Sequence, residues 1–241
     1  REPVPKMVLY KVKKAAEVFA TRLAPKVIWM SASMTNSQCL EIGLTSKNSV
    51  VIDLPSEFLP EDSPIRVNMR KLPFSYNRGE PDKQGIATLA RDIAAVMREH
   101  PRGIVHTHSY RNVKILQGFW AKFHLEKHTP FYHTSADQTQ DMIRMFTEGV
   151  VQWVITPALS EGFDGAGDLV QAQVLLKAPW PSLGSPRMKR LLKSDFGKKL
   201  YAAKAMSTFI QSYGRGARFK GDKCVTYLLD SDFDRLLSRN W

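Results

Sequence analysis

Cysteine is nearly missing from this chain, with only Cys39 and Cys224 in 241 residues. Two thiols cannot build a disulfide framework or a cysteine-rich metal centre, and they suit a reducing compartment. No apolar run approaches the roughly 18 residues of a membrane span, and no signal-peptide pattern opens the chain. Internal repeats and low-complexity tracts are absent as well. Acid is scarce: 23 Asp and Glu face 35 Lys and Arg, a net charge of +12. That excess favours an anionic partner, either nucleic acid or a nucleotide-rich surface. Hydrophobic residues make up 43% of the chain, enough to bury a substantial core and to exclude disorder.

The positive charge is clustered. Between Arg187 and Lys223 eleven Lys and Arg stand against two acids, Asp195 and Asp222. Such a block is either an anion-binding surface or a solubility face. Within it lies Gln211-Ser-Tyr-Gly-Arg-Gly-Ala-Arg218. At roughly 100° per residue, Gln211, Arg215 and Arg218 would share one helical face, with Met206, Phe209, Ile210 and Tyr213 opposite. Two guanidinium forks on one face suit phosphate oxygens. Gly214 and Gly216 each cost a helix about 1 kcal/mol relative to Ala. The helix therefore either carries both arginines or stops near Gly214 and delivers Arg218 from a loop.

Elsewhere strands and helices alternate. Ile86, Leu89, Ile93 and Met97 mark a helix over 82–100, and Val113, Leu116, Trp120 and Phe123 mark another over 110–123. Helical patterns also cover 15–23, 138–148, 186–194 and 198–213. Strand patterns cover 4–12, 26–30, 65–69, 103–107, 131–133, 151–156, 170–177 and 224–229, and Val50–Leu54 is a further apolar run. This alternation predicts βαβ units and an α/β fold with a parallel sheet. Ligands of such sheets bind at the carboxyl ends of the strands, where Ser31-Ala-Ser33, Thr107-His-Ser109, Thr156 and Asp230 fall.

The order Ser31-Ala-Ser33, Thr107-His-Ser-Tyr110, Ser160-Glu-Gly-Phe-Asp164, Ala178-Pro-Trp-Pro181 and Gln211-x-x-Gly-Arg-x-x-Arg218 resembles the XPD/DinG family of superfamily 2 DNA helicases, motifs III to VI. The resemblance implies a RecA-like parallel sheet flanked by helices, the second motor lobe of an ATP-dependent helicase that couples hydrolysis to translocation on single-stranded DNA and duplex unwinding, 5′→3′. It implies a hydrolase of the DNA-repair class, intracellular and cytoplasmic or nucleoid-associated, acting on single-stranded or forked DNA. Residues 1–35 would end in motif III at the junction with a first lobe, and 36–241 would form the helicase C-terminal domain.

On this resemblance Arg215 and Arg218 would stabilise charge on the transferring γ-phosphoryl group, and Gln211 would orient their helix or touch the phosphate. Glu161, Gly162 and Asp164, with Gly214, would contact ATP, Asp164 near the ribose. Thr107, Ser109, Tyr110 and Thr156 would contact the strand backbone. The basic block, Arg187, Lys189 and Arg190 foremost, could track the same strand. Ser31, Ala32 and Ser33 would couple the two lobes. The chain has neither a Gly-x-x-x-x-Gly-Lys-Ser/Thr phosphate loop nor an Asp-Glu-x-His box. The phosphate cradle and the Mg²⁺ carboxylates are therefore expected in a first lobe, and with an Arg1 start the chain is expected to be part of a longer protein, inactive alone. An iron–sulfur cluster, found in part of the family, is not expected on these cysteines.

The residues alone leave two other readings open: a non-catalytic nucleic-acid-binding module, and an RNA-directed superfamily 2 motor. His106 with His108, and His124 with His128, could each start a metal site but lack further ligands at suitable spacing, so no metal is expected. His133 is a further candidate contact to DNA.

Overall fold

A computed structural model describes residues 26–31, 33–54, 60–67, 76–77, 80–81, 83–122, 129–157, 167–217 and 221–238. The strand and helix expected over 4–12 and 15–23 lie outside the described residues, as do Phe123, His124 and His128. The described chain divides into two compact units. Among the described residues, the smaller draws on 26–54 and 179–210, the larger on 60–178 and 211–238. Residues 36–54 and 179–210 thus group with the described residues before 36.

The larger unit is built on a parallel sheet. Its strands are β1 (Ile65–Val67), β4 (Gly103–His106), β5 (Phe131–Tyr132), β6 (Trp153–Thr156), β7 (Ala172–Leu175) and β8 (Val225–Leu228). Their order across the sheet is β1-β8-β7-β4-β6-β5, and every pairing is parallel. A separate two-residue antiparallel ladder joins β2 (Tyr76–Asn77) and β3 (Glu80–Pro81). Between the strands run α2 (Lys83–Glu99), α3 (Tyr110–Lys122) and α4 (Thr139–Thr147), and α7 (Asp232–Leu237) follows the last one.

Side chains alternate across a pleated strand, and this alternation sorts the core in two. Val105, Trp153, Ile155, Ala172 and Val174 point one way and pack with Ile86, Leu89 and Ile93 of α2 and Val113, Leu116 and Trp120 of α3. Ile104, Val154 and Cys224 point the other way and pack with Met142 and Phe146 of α4, joined by Val170 from the segment before β7. Covering both faces is what a parallel sheet requires, and it explains why β4, β6 and β7 are buried at every residue. The predicted helix over 82–100 owes its existence to this packing, since Ile86, Leu89 and Ile93 are fully buried.

The smaller unit contains α1 (Asn36–Glu41), α5 (Pro186–Leu191) and residues 195–210 of α6 (Asp195–Tyr213). A capping box starts α1: Thr35 Oγ1 accepts from Gln38 N, and Gln38 Oε1 accepts from Thr35 N. At the foot of α6, Gly197 lies so close to the end of α5 that an added Cβ would fall 1.7 Å from the Leu191 carbonyl oxygen. The run 26–30, read as strand-like from sequence, and the apolar run 50–54 are irregular here. Ile28 and Met30 are 87% and 90% exposed, and Val50 is 88% exposed. A strand that is apolar on both faces needs a neighbour on each edge to satisfy its backbone groups, and these runs pair with none of the described strands.

Gly103 begins β4 where two neighbours crowd it. A Cβ there would lie 2.3 Å from the Ala172 carbonyl oxygen and 2.3 Å from the Trp153 ring. Gly103→Ala is expected to cost about 1–3 kcal/mol of stability through overpacking. Gly118→Ala in α3, where nothing lies within 4 Å, is expected to add up to about 1 kcal/mol by helix propensity. Urea unfolding of the two variants beside the parent checks the contrast.

Candidate functional site

The polar clusters of the larger unit gather at the carboxyl ends of its central strands. His106 closes β4 in register with Thr156 of β6, and Gln173 of β7 is in register with Thr226 of β8 and with Ile104. Thr156, His106, Gln173 and Thr226 therefore share the sheet face that carries Ile104 and Cys224. All four are buried. Buried polar groups must find partners, and most here do. His133 is held between two hydroxyls, Nδ1 at 2.8 Å from Thr156 Oγ1 and Nε2 at 3.1 Å from Thr139 Oγ1. Tyr110 packs edge-on against the same imidazole at 5.2 Å.

The loop after β4 is a tightly bonded hinge between strand and helix. Thr107 N donates to the Thr156 carbonyl oxygen, Asn112 Nδ2 to the Thr107 carbonyl oxygen at 2.7 Å, and Thr107 Oγ1 to the Ser109 carbonyl oxygen at 3.2 Å. Ser109 Oγ accepts Asn112 N–H at 3.2 Å, which caps α3. Between them His108 takes φ 59°, left-handed and costly for a residue with a Cβ. Thr107 and Thr156 are fully buried, and their hydroxyls serve neighbouring protein groups. Ser109 and Tyr110 are half-exposed. Of the residues expected to meet a strand in this loop, these two present surface.

The glutamine–arginine stretch departs from the single helical face drawn from its sequence. The helix α6 ends at Tyr213, so Gln211 is helical while Arg215 stands in the turn that follows. Arg215 N donates to the Ser212 carbonyl oxygen, and Gly216 N to that of Tyr213. The two glycines decide this outcome, as the alternative of an early stop anticipated. Met206 and Phe209 are buried and Gln211 is exposed, as the wheel predicts for the helical part. Arg218 lies outside the described residues, and so do Ser160 through Asp164 and Ala32.

Electrostatics around the turn are set by burial next to fixed positive charge. The His106 imidazole is pushed down to about 3 by burial, and then by His108 and Arg215, with Gln173 opposing. Its Nε2 has no hydrogen-bond partner of good geometry, and neither has Gln173 Oε1. His108 is lowered to about 4, chiefly by burial; the Lys177 backbone opposes this through a hydrogen bond, while the Lys177 charge adds to it less strongly. Both rings are neutral at physiological pH, so among the described residues Arg215 and Lys177 supply the positive charge around them.

In the smaller unit the basic helices are partly neutralised. Glu41 is 3.0 Å from Arg187 and 3.4 Å from Lys204, and Lys198 pairs with Asp195 at 2.9 Å. Lys189 and Arg190 are exposed. Ser33 Oγ lies 2.9 Å from Ser207 Oγ on α6, a buried hydroxyl pair, and Ser31 Oγ accepts from Ser33 N. Trp180 stacks on Tyr201 at 5.3 Å, and the Tyr201 hydroxyl donates to the Pro181 carbonyl oxygen.

Sequence reasoning missed Gln173, Thr226, Ser207 and Glu41. One signal was available for Gln173: an amide alone in the apolar run of β7 must be bonded to something. Nothing at 41 or 207 announces its partner, because both contacts join segments more than 140 positions apart.

Residues 93–240, more than half of the chain, match the family of helicase C-terminal domains. The chain is similar in fold to the solved structure of S. tokodaii Xpd4, with a TM-score of 0.54 at 16% identity. That match covers 87% of this chain and 41% of the Xpd4 chain, so the chain spans about two fifths of the length of the protein it matches. No curated protein matches the chain. The match to Xpd4 agrees with the RecA-like parallel sheet expected from sequence.

The two depressed histidines fix a sign for acid sensitivity. Unfolding returns both rings to ordinary values near 6.5, so below that pH the unfolded chain binds protons that the folded one refuses. Stability is then complete above about pH 6.5 and falls as the pH drops toward 4 and 3. The expected loss is up to about 1.4 kcal/mol per pH unit for each ring. Urea midpoints at pH 7.5 and 5 should fall clearly in the parent and less in a His106→Gln, His108→Asn double variant.

Proposed function

Because the chain belongs to the family of helicase C-terminal domains, we propose that it is the second motor lobe of an ATP-dependent DNA helicase of the XPD/DinG type. In this reading it couples ATP hydrolysis to 5′→3′ translocation on single-stranded DNA and to unwinding of forked duplex, within an intracellular repair enzyme. The observation that carries the proposal is the placement of Arg215. The residue occupies a turn at the end of α6, next to a buried imidazole kept neutral by its surroundings. A permanently charged planar fork in that setting suits a transferring phosphoryl group, whose oxygens it can meet with two parallel N–H bonds.

Arg215 and Arg218 would stabilise the charge that develops as the γ-phosphoryl group leaves, with Gln211 setting the approach of the helix end. Glu161, Gly162, Asp164 and Gly214 would meet the nucleotide from this lobe. Among the described residues no three His, Cys, Asp or Glu come together. The metal carboxylates and the phosphate cradle are assigned to a first lobe. Ser109 and Tyr110, with Lys189 and Arg190, would meet the strand backbone, while Thr107 and Thr156 shape the loop beneath. Arg187 would join them only by leaving Glu41, a half-exposed pair worth about 1 kcal/mol at most. The Ser33–Ser207 pair gives motif III a direct grip on the helix that leads to Arg215. That supports a coupling role for Ser31, Ala32 and Ser33.

The test is the DNA-stimulated ATPase of the complete polypeptide. Arg215→Ala and Arg218→Ala should each lower kcat by about 10³ or more, and the 241-residue chain alone should turn over no ATP. Unchanged turnover in both variants would sink the assignment. A wild-type polypeptide without DNA-stimulated turnover would leave the non-catalytic binding module, and preference for RNA over DNA at fixed salt would select the RNA-directed motor.

A further inference from the structure

Gln173 lies in β7 with a strand on either side, and it is completely buried. Packing does not call for an amide there, since Val174 and Leu175 fill the same strand with hydrocarbon. A buried amide is costly unless its hydrogens are bonded. Both of them are. Gln173 Nε2 donates to Thr226 Oγ1 at 2.8 Å, its direct neighbour on β8, and to the Tyr213 carbonyl oxygen at 2.7 Å.

Tyr213 is the last residue of α6. The final carbonyls of a helix have no partner within it, and Gln173 supplies one from the sheet. The next turn carries Arg215. Beyond it Gly216 sits directly on the same amide: an added Cβ would fall 3.2 Å from Gln173 Nε2 and 2.2 Å from Cys224 Sγ. The Tyr213 hydroxyl is tied down too, donating to the Ser63 carbonyl oxygen at 2.7 Å. The chain is therefore pinned to the sheet immediately before and immediately after Arg215. The amide can face only one way, because turning it over would set Oε1 against the Tyr213 carbonyl oxygen, acceptor against acceptor.

We propose that Gln173 is the positioning residue for Arg215, holding the helix end and the arginine turn at a fixed place on the sheet through the Tyr213 carbonyl. The catalytic part of this inference rests on the motor reading above; the positional part stands without it. An arginine that must meet phosphoryl oxygens within a fraction of an ångström gains from a turn that cannot drift. A short loop on a helix terminus would otherwise be among the first segments to open. Leucine at 173 would fill the same space and remove the sheet's donor to the Tyr213 carbonyl, which would keep the longer bond from Gly216 N within its own turn.

Two measurements test this. In the 241-residue chain, hydrogen exchange should rise about tenfold or more over residues 211–217 in Gln173→Leu, with the amides of β4, β6 and β7 unchanged. Thr226→Val, which only loosens the amide, should show a smaller rise at the same place, and it serves if Gln173→Leu does not fold. In the complete polypeptide Gln173→Leu should lower the kcat of DNA-stimulated ATP hydrolysis about 10–100-fold with the KM for ATP within about twofold. In an Arg215→Ala background the same change should cost nothing further, since residues that act as a unit are not additive. Unchanged exchange at 211–217, a rise spread over the whole sheet, or an additive loss beside Arg215→Ala would each overturn the proposal. A wild-type polypeptide that hydrolyses no ATP would instead overturn the motor reading, while the exchange result still decides the positional claim.

Discussion

A parallel strand covered on both faces has no solvent side on which to put polar groups, and the larger unit is organised by that constraint. The residues of β4, β6 and β7 are buried throughout. Any hydroxyl, amide or imidazole they carry must be bonded inside or placed at a strand end. Thr156 with His133, and Gln173 with Thr226, take the first course. Ser109 and Tyr110 take the second, because the loop they occupy emerges from the end of β4. The arginine turn inherits its position from the same constraint, since the amide that needs a partner and the helix end that needs a donor satisfy each other.

Much of this was legible in the sequence. The stripe Ile86, Leu89, Ile93, Met97 specifies α2 because a helix against a sheet must bury one face, and the alternation of elements specifies the parallel sheet. The expectation failed where periodicity carries no information about partners. Lys26–Met30 reads as a strand, yet an apolar run becomes a strand only when others flank it. The helical wheel through Arg218 was broken at Gly214, a residue type that costs a helix about 1 kcal/mol and that directly follows the last helical residue, Tyr213. At Thr107 and Thr156 sequence could place hydroxyls at strand ends but could not say whether they face outward; the hydrogen bonds of Ser109, Asn112 and His133 turn them inward.

Charge tells a similar story. The surplus of basic residues between 187 and 223 left open an anion-binding surface or a solubility face, and Glu41 pairs with two of its members, Arg187 and Lys204. Among the described residues Lys189, Arg190, Lys193 and Lys199 are exposed in one unit, and Arg215 lies with Lys177 beside neutral imidazoles in the other. Neutrality of His106 matters to Arg215. A protonated ring there would repel the guanidinium and compete for the same anion, and burial prevents it across the physiological range.

The central claim is that Arg215 recognises a phosphoryl group in flight, a stronger demand than binding nucleotide. The most direct measurement compares the affinity of the complete polypeptide for ADP with its affinity for ADP and aluminium fluoride, a mimic of the transferring phosphoryl group. The account predicts that wild type prefers the mimic by about 10² or more, and that Arg215→Ala loses that preference while its affinity for ADP stays within about twofold. An Arg215→Ala protein that still prefers the mimic as wild type does would contradict it.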